Sequence, residues 1–247
     1  MELLGNLVGL SPAGLAFGLA AVLLGAFIKG YTGFGSSMVW VTSLSLVLPP
    51  LEVVPMVLMF EVITSIRMLP QVWREVEWRS LWLLMLGTSV ATPLGIYALA
   101  AIPADALRMA LAITVFAAAV LIWRGFALAR APGKASTVGV GLLAGFLNGS
   151  MAIVGPPVIL FYFATPLGVA AGRASMVTYL LGTDAIGTGL FALNGLIGPA
   201  MLWRTVLFVP VLLLGAHRSP PVPQHPTADG QADRVAAADG PLDRAVR

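Results

Sequence analysis

The stretch IKGYTGFGSSMV, residues 28–39, interrupts a long apolar run with one lysine, three glycines and two serines. The run SPAGLAFGLAAVLLGAF precedes it, and the run WVTSLSLVLPP follows it. Glycine weakens a helix because its backbone loses more freedom on folding than that of other residues. The stretch therefore predicts a break between two apolar helical segments, with a charge placed directly at the break.

The composition indicates a membrane protein. Of the 247 residues, 58% are hydrophobic and 10% are charged, and the mean hydropathy is +0.93. A soluble domain carries about 25% charged residues, so this chain has too few to cover a water-facing surface. Long unbroken apolar runs argue against the alternating segments of about ten residues that form a membrane β-barrel. The predicted fold class is an all-α polytopic membrane protein.

The residue types that are missing exclude several kinds of chemistry. The chain has no cysteine, and its two histidines, His217 and His225, both lie in the polar C-terminal segment. Thiol chemistry and histidine metal sites are therefore not expected within the apolar spans, and we predict neither a cofactor nor a metal. Since we find no nucleophile–base pair and no GxxxxGK[ST] motif, we predict neither an enzyme nor direct ATP drive.

Nine apolar segments are candidates for crossings, since a crossing needs about 20 apolar residues. They are 11–29, 36–50, 51–70, 80–101, 104–124, 137–154, 156–168, 171–195 and 199–216. The segments 36–50 and 156–168 are short and follow glycine or proline breaks. Each of these two either crosses or pairs with its predecessor as a broken hairpin, so about eight spans, seven to nine, are predicted.

Two basic loops set the predicted orientation. One loop contains Arg67, Arg74 and Arg79, and the other contains Arg124, Arg130 and Lys134. Two apolar segments separate the loops, so both lie on one side, which the positive-inside rule makes cytoplasmic. The N-terminus is then outside if the first two segments both cross, and the C-terminal tail is cytoplasmic. The small net charge of +3 fits orientation signals rather than nucleic-acid binding.

A weak internal repeat relates the break to the stretch GFLNGSMAIVGPPVI at 145–159. Phe27 matches Phe146, and Gly30 matches Gly149, at an offset of 119 residues. The first half has an odd number of crossings, so the second half enters the membrane in the opposite sense, which is the inverted-topology repeat of many secondary transporters. We assign residues 1–130 to the first repeat, 131–216 to the second and 217–247 to a disordered polar tail.

The same offset predicts an incomplete second repeat. Shifted by 119 residues, 80–101 falls on the last apolar run, whereas 104–124 falls on 223–243, which is polar. The second half therefore lacks the partner of the fifth span. Either the chain ends one span early or its C-terminal sequence has been altered.

Three stretches resemble the sulfite exporter TauE/SafE family: KGYTGFGSSMV at 29–39, ATPLGIYAL at 91–99 and LLAGFLNGSMAIVGPPVILF at 142–161. The resemblance covers residues 10–216. It implies a multispan protein of the bacterial inner membrane that moves sulfite, sulfoacetate or related organosulfur and organic anions. The chain departs from the family's pattern at Ser36 and Ser37, where many members carry glycine, and in the missing last span.

Lys29 stands directly before the break and is the charge best placed to bind an anion. If the helix unwinds there, backbone N–H groups at the start of the next segment point toward Lys29, and helix N-termini attract anions. Nearby hydroxyls complete a set of donors that suits a small oxyanion. The alternative is an interfacial lysine at a helix end. The predicted substrate-binding residues are Lys29, Gly30, Thr32, Gly33, Gly35, Ser36, Ser37, Asn148, Gly149, Gly155 and Pro156.

Two carboxylates, Glu61 and Asp184, lie near the middle of long spans, one in each half. A charge in the bilayer core is costly, so such residues face protein or water. They are predicted to be proton carriers or counter-charges for Lys29 and Arg173. The alternatives are a purely structural ion pair for the carboxylates and an interfacial anchor for Arg173.

The predicted function is a secondary transporter of small anions, coupled to protons or to the membrane potential. The residues leave open a channel, a non-transporting membrane scaffold or assembly protein, and a truncated, inactive family member. The predicted partners are a small anionic substrate and the lipid bilayer. Nucleic acid is not a predicted partner, and a homo-oligomer is left open.

Overall fold

The computed structural model describes residues 10–124, 132–163 and 169–217, and every regular element within them is helical. The helices are α1 (Pro12–Thr32), α2 (Ser36–Leu44), α3 (Pro50–Val72), α4 (Trp78–Ala101), α5 (Ala104–Trp123), α6 (Lys134–Met151), α7 (Gly155–Phe163), α8 (Val169–Leu193) and α9 (Pro199–His217). A short 3-10 helix, Trp73–Glu75, continues α3. The prediction of an all-α fold is confirmed. Arg130 and the predicted tail from residue 218 onward lie outside the described residues.

Within the described residues, five helices are long and apolar enough to cross a membrane. They are Pro12–Thr32, Pro50–Glu75, Trp78–Ala101, Ala170–Leu193 and Pro199–Ala216. Helices α5 and α6 have 20 and 18 residues, so they are about 30 and 27 Å long at 1.5 Å per residue. These lengths are close to the thickness of a bilayer's hydrocarbon core. The chain is therefore a multi-pass membrane protein.

Helix starts coincide with capping residues and prolines. Ser11 caps α1 because its hydroxyl accepts a hydrogen bond from the backbone N–H of Gly14 at 3.1 Å, and Pro12 follows it. Glu77 caps α4 through its carboxylate, which accepts from the backbone N–H of Ser80 at 2.7 Å. Side chains that satisfy the first N–H groups of a helix stabilise its start, so local sequence sets these boundaries.

The segment 36–50 forms a broken hairpin with α1 rather than one continuous crossing helix. Helix α2 has nine residues, about 14 Å at 1.5 Å per residue, and a turn follows it before the proline pair at the start of α3. The indole N–H of Trp40 donates to the carbonyl oxygen of Val22 at 3.1 Å. Farther along, Val47 lies beside Gly14. The segment thus returns along α1 to the face where α1 begins, which we call the Ser11 face.

The second short segment, predicted at 156–168, behaves in the same way where it is described. Helix α7, Gly155–Phe163, also has nine residues and packs against α6. Residues 164–168 lie outside the described part of the chain. Both short helices therefore follow a break, as the glycine and proline positions predict.

The last described helix packs against the first described one. Helix α9 runs along α1 in the same direction, with Phe208 against Gly18 and Gly215 against Ala26. The contact between Gly215 and Ala26 is close because neither residue has a side chain larger than a methyl group. The second half of the chain therefore supplies a helix to the first.

The reciprocal contact joins α4 of the first half to α6 of the second. The two helices run in the same direction, with Gly141 against the backbone of Leu84 and Gly149 against the backbone of Thr92. Close approach of two backbones through glycine is a common way to pack helices in membranes. The exchange of helices between the halves is therefore mutual.

Helices α3 and α8 lie between these two pairs and run in opposite directions. Leu58 on α3 faces Gly187 on α8, and Arg173 near the start of α8 contacts Gly33 at the end of α1. Helix α3 begins on the Ser11 face and ends near Arg74, so α8 begins on this second face, the Arg74 face. The two halves thus enter from opposite faces, which is the inverted topology that the sequence repeat predicts.

Candidate functional site

The glycine-rich break lies between α1 and α2. Gly33 and Gly35 have φ angles of 89° and 84°, in the left-handed region that residues with a side chain adopt only at a cost. The hydroxyl of Thr32 is placed to donate to the carbonyl oxygen of Ile28 at 2.9 Å and to that of Phe34 at 2.6 Å. Thr32, which the sequence predicts as a substrate contact, is therefore engaged in holding the turn.

Lys29 is fully buried and forms an ion pair with Glu61, which lies at the centre of α3. Ser36, the first residue of α2, donates its hydroxyl to the other carboxylate oxygen of Glu61. The N-terminus of α2 adds a partial positive charge on the same side. The structure thus brings together three of the predicted residues, and it gives Glu61 a cation and a hydroxyl as partners.

Asn148 and Asp184 form a similar but weaker pair in the second half. Asn148 lies in the last turn of α6, and its amide nitrogen donates to Oδ1 of Asp184 at 3.1 Å. Both residues are buried. Asp184 also lies within electrostatic reach of Glu61 and Lys29. The two pairs therefore form one buried polar cluster, and we call its parts the Glu61 half-site (Lys29, Ser36, Glu61) and the Asp184 half-site (Asn148, Asp184).

Arg173 is placed at the break rather than at a carboxylate of the cluster. Its Nη2 donates to the carbonyl oxygen of Gly30 at 3.3 Å, and its side chain covers Gly33. Arg173 therefore ties the start of α8 to the end of α1. The counter-charge that the structure gives to Glu61 is Lys29.

The remaining predicted residues fall around the cluster. Ser37 is buried on α2, while Gly149 lies against the carbonyl oxygen of Thr92 on α4. Gly155 and Pro156 begin α7. In the second half, then, the side chain that reaches a carboxylate is Asn148, and its neighbour Gly149 serves the packing of α6 on α4.

Two buried hydroxyls beside the carboxylates were missed by the sequence reasoning. Ser65 follows Glu61 by four residues, and Thr188 follows Asp184 by four residues. Neither hydroxyl oxygen has a hydrogen-bond partner among the described residues. Residues four apart share one face of a helix, so the spacing of carboxylate and hydroxyl in both spans was the signal that could have found them.

Comparison with known proteins identifies the family of the chain. The chain matches the family model described as "Sulfite exporter TauE/SafE" over residues 17–223. A protein of Cupriavidus necator described as "Probable sulfite/organosulfonate exporter TauE" is 25% identical over 218 residues, which cover 83% of this chain and 84% of that protein. No solved structure matches the chain significantly. Since the family match includes both breaks and both carboxylates, the chain belongs to the sulfite exporter TauE/SafE family of transporters.

Proposed function

We propose that the protein is a proton-coupled secondary transporter that exports small sulfur oxyanions, either sulfite or an organic sulfonate, across the bacterial inner membrane. Its family and the description of its Cupriavidus necator relative support this class of substrate. The halves 1–130 and 131–216 would serve as the two inverted repeats, which in such transporters move relative to each other around a central binding site.

The buried Lys29 at the broken end of α1 is the observation that carries the proposal. Burying a lysine is costly unless an anion compensates it, and here that anion is the carboxylate of Glu61. A sulfite or sulfonate group also presents negatively charged oxygens to hydrogen-bond donors. We therefore assign Lys29, Ser36 and the N-terminus of α2 to the substrate, which takes the place of the Glu61 carboxylate during transport.

The basic residues support one orientation in the membrane. Arg74 follows α3, while Lys134 begins α6, and both lie on the Arg74 face. The positive-inside rule places such a face in the cytoplasm. The Ser11 face would then be outside, and α9 would end in the cytoplasm.

Transport by purified protein tests the proposal. In proteoliposomes with labelled sulfite inside, we expect efflux that rises when a proton gradient is imposed. Unlabelled sulfonates should inhibit this efflux. K29Q should reduce efflux at least tenfold, since it removes the cation that the anion contacts. D105N is a suitable control, because the Asp105 side chain is 95% exposed and lies outside the cluster.

Two results would contradict this function. If no gradient-dependent flux appears across sulfite and a panel of sulfonates, the chain is a non-transporting scaffold rather than a transporter. If K29Q is folded and transports sulfite at the normal rate, Lys29 does not bind the substrate. The amount of protein in the vesicles, measured for every variant, separates lost transport from lost insertion.

A further inference from the structure

The negative charges of the two buried carboxylates, Glu61 and Asp184, are stabilised by their surroundings to different degrees. In the Glu61 half-site, Lys29 contacts one carboxylate oxygen and the hydroxyl of Ser36 contacts the other. The N-terminus of α2 lies beside them and favours a negative charge. Glu61 is therefore surrounded by groups that stabilise its ionised form.

Far fewer groups stabilise a negative charge on Asp184. Its Oδ1 accepts one hydrogen bond, from the neutral amide of Asn148. Its Oδ2 is buried and accepts no hydrogen bond from any described residue. The amide oxygen of Asn148 and the hydroxyl of Thr188 are likewise buried without a described partner. The amide oxygen of Asn148 can only accept, so it suits the O–H of a protonated carboxyl group better than an ionised one, whereas the hydroxyl of Thr188 can donate to either form or accept from the protonated one.

The difference comes from one pair of matched positions in the repeat. Lys29 and Asn148 are 119 residues apart and occupy the last turns of α1 and α6. The C-terminus of a helix carries partial negative charge, which a lysine offsets and an asparagine does not. At the end of α6, an ionised Asp184 would face that negative end with only a neutral donor beside it.

The neighbouring charges do not correct this imbalance. Glu61 on α3 and Lys29 on α1 both act on Asp184 electrostatically, but they are paired with each other, so together they bring no net positive charge to Asp184. Among the described residues, Tyr179, five residues earlier on α8, also lies within electrostatic reach of Asp184, and its hydroxyl is hydrogen-bonded to that of Thr88 on α4. A buried carboxylate without a paired cation favours its neutral, protonated form.

We propose that Asp184 carries the coupled proton, while Glu61 is the ionised partner of Lys29 in the absence of substrate. Asp184 takes a proton from water on one face and releases it to water on the other. No covalent bond forms or breaks apart from this O–H bond. The inference rests on the proposed transport function, which it deepens by assigning the coupling step to one of the two half-sites.

Infrared spectroscopy tests the assignment without any transport. In the purified full-length protein at neutral pH, we expect the C=O stretching band of a buried protonated carboxyl group. D184N should remove that band, D184E should shift it, and D105N should leave it unchanged. Loss of the band in E61Q with retention in D184N would overturn the assignment. Disappearance of the band on adding Na⁺ at constant pH would overturn it too, since the site would then bind a metal cation.

A transport measurement provides the second test of the assignment. D184N should lose accumulation driven by a pH gradient by at least tenfold, whereas exchange of labelled for unlabelled sulfite at equal concentrations should fall much less. Exchange needs substrate binding but no net proton movement, so the two measurements separate coupling from binding. An unaltered response of D184N to the pH gradient would overturn the inference. Absence of sulfite flux in the unmodified protein would instead overturn the proposed function. The infrared measurement would then still test whether Asp184 is protonated, because it does not depend on transport.

Discussion

The ion pair between Lys29 and Glu61 is the most deeply buried one among the described residues. Both side chains are at most 2% exposed. Removing one partner from a buried ion pair leaves an uncompensated charge and costs about 3–5 kcal/mol. Replacing both partners with neutral groups costs much less, because no charge remains to be desolvated.

We therefore expect K29Q to be markedly less stable than the double variant K29Q/E61Q. Thermal unfolding in detergent, followed by the loss of monodisperse protein, measures the difference. If the two variants unfold at the same temperature, the Glu61 side chain left in K29Q is not an uncompensated buried charge. The double variant should still fail to transport sulfite, because the cation that binds the anion is absent from it.

The residues of this cluster were predictable individually but not as partners. A lysine before a glycine break and one carboxylate in each half are visible in the sequence because charges are rare in apolar spans. Which carboxylate Lys29 contacts depends on how α1 and α3 are rotated about their axes, and the apolar pattern of a membrane helix does not specify that rotation. Arg173, predicted as a counter-charge, contacts backbone instead for the same reason.

At the level of elements, the contact between α4 and α6 is the tightest one described. Gly141, Gly145 and Gly149 are spaced four residues apart, so they lie on one face of α6. A Cβ added at Gly145 would overlap the carbonyl oxygen of Thr88. Backbone, unlike the end of a flexible side chain, has no way to move aside without shifting the whole helix.

We expect G145V to reduce the yield of folded protein severalfold, since forced overpacking costs about 1–3 kcal/mol or more. Gly139 on the same helix offers a matched control, because a Cβ added there meets nothing within 4 Å. G139V should therefore be produced normally. Size-exclusion chromatography of both variants checks this, and equal yields would show that α4 and α6 do not need to approach so closely.

The predictability of the helices follows from their length. Long apolar spans were located to within a few residues because a continuous apolar run and a capping residue or proline mark each end. The nine-residue helices α2 and α7 were recognised as short, but not as helices with defined ends. Short segments carry little periodic signal, and their ends depend on the turns around them.

At the level of the whole molecule, the inverted topology places Arg74 and Lys134 on one face. The chain has no cysteine, so single introduced cysteines report orientation without a background. Ser11 and Lys134 are both exposed and lie on opposite faces. They are therefore suitable positions for a labelling experiment.

In intact spheroplasts, a membrane-impermeant maleimide should label S11C and should not label K134C. In inverted membrane vesicles, the pattern should reverse, because the positive-inside rule puts the Arg74 face in the cytoplasm. A permeant maleimide, which should label both variants in both preparations, is the control. Labelling of both cysteines from the same side would contradict the inverted arrangement.

The exchange of helices between the halves also sets an order of events during synthesis. Helix α1 leaves the ribosome first, yet its partner α9 begins 167 residues after α1 ends. At about 5–20 residues per second this delay is roughly ten to thirty seconds. Throughout that time the glycine surface of α1 that later holds Phe208 is exposed to lipid or to the insertion machinery. The packing of α1 is therefore completed only after α9 has been made, and this step is more vulnerable than in a protein whose neighbouring helices pair as they emerge.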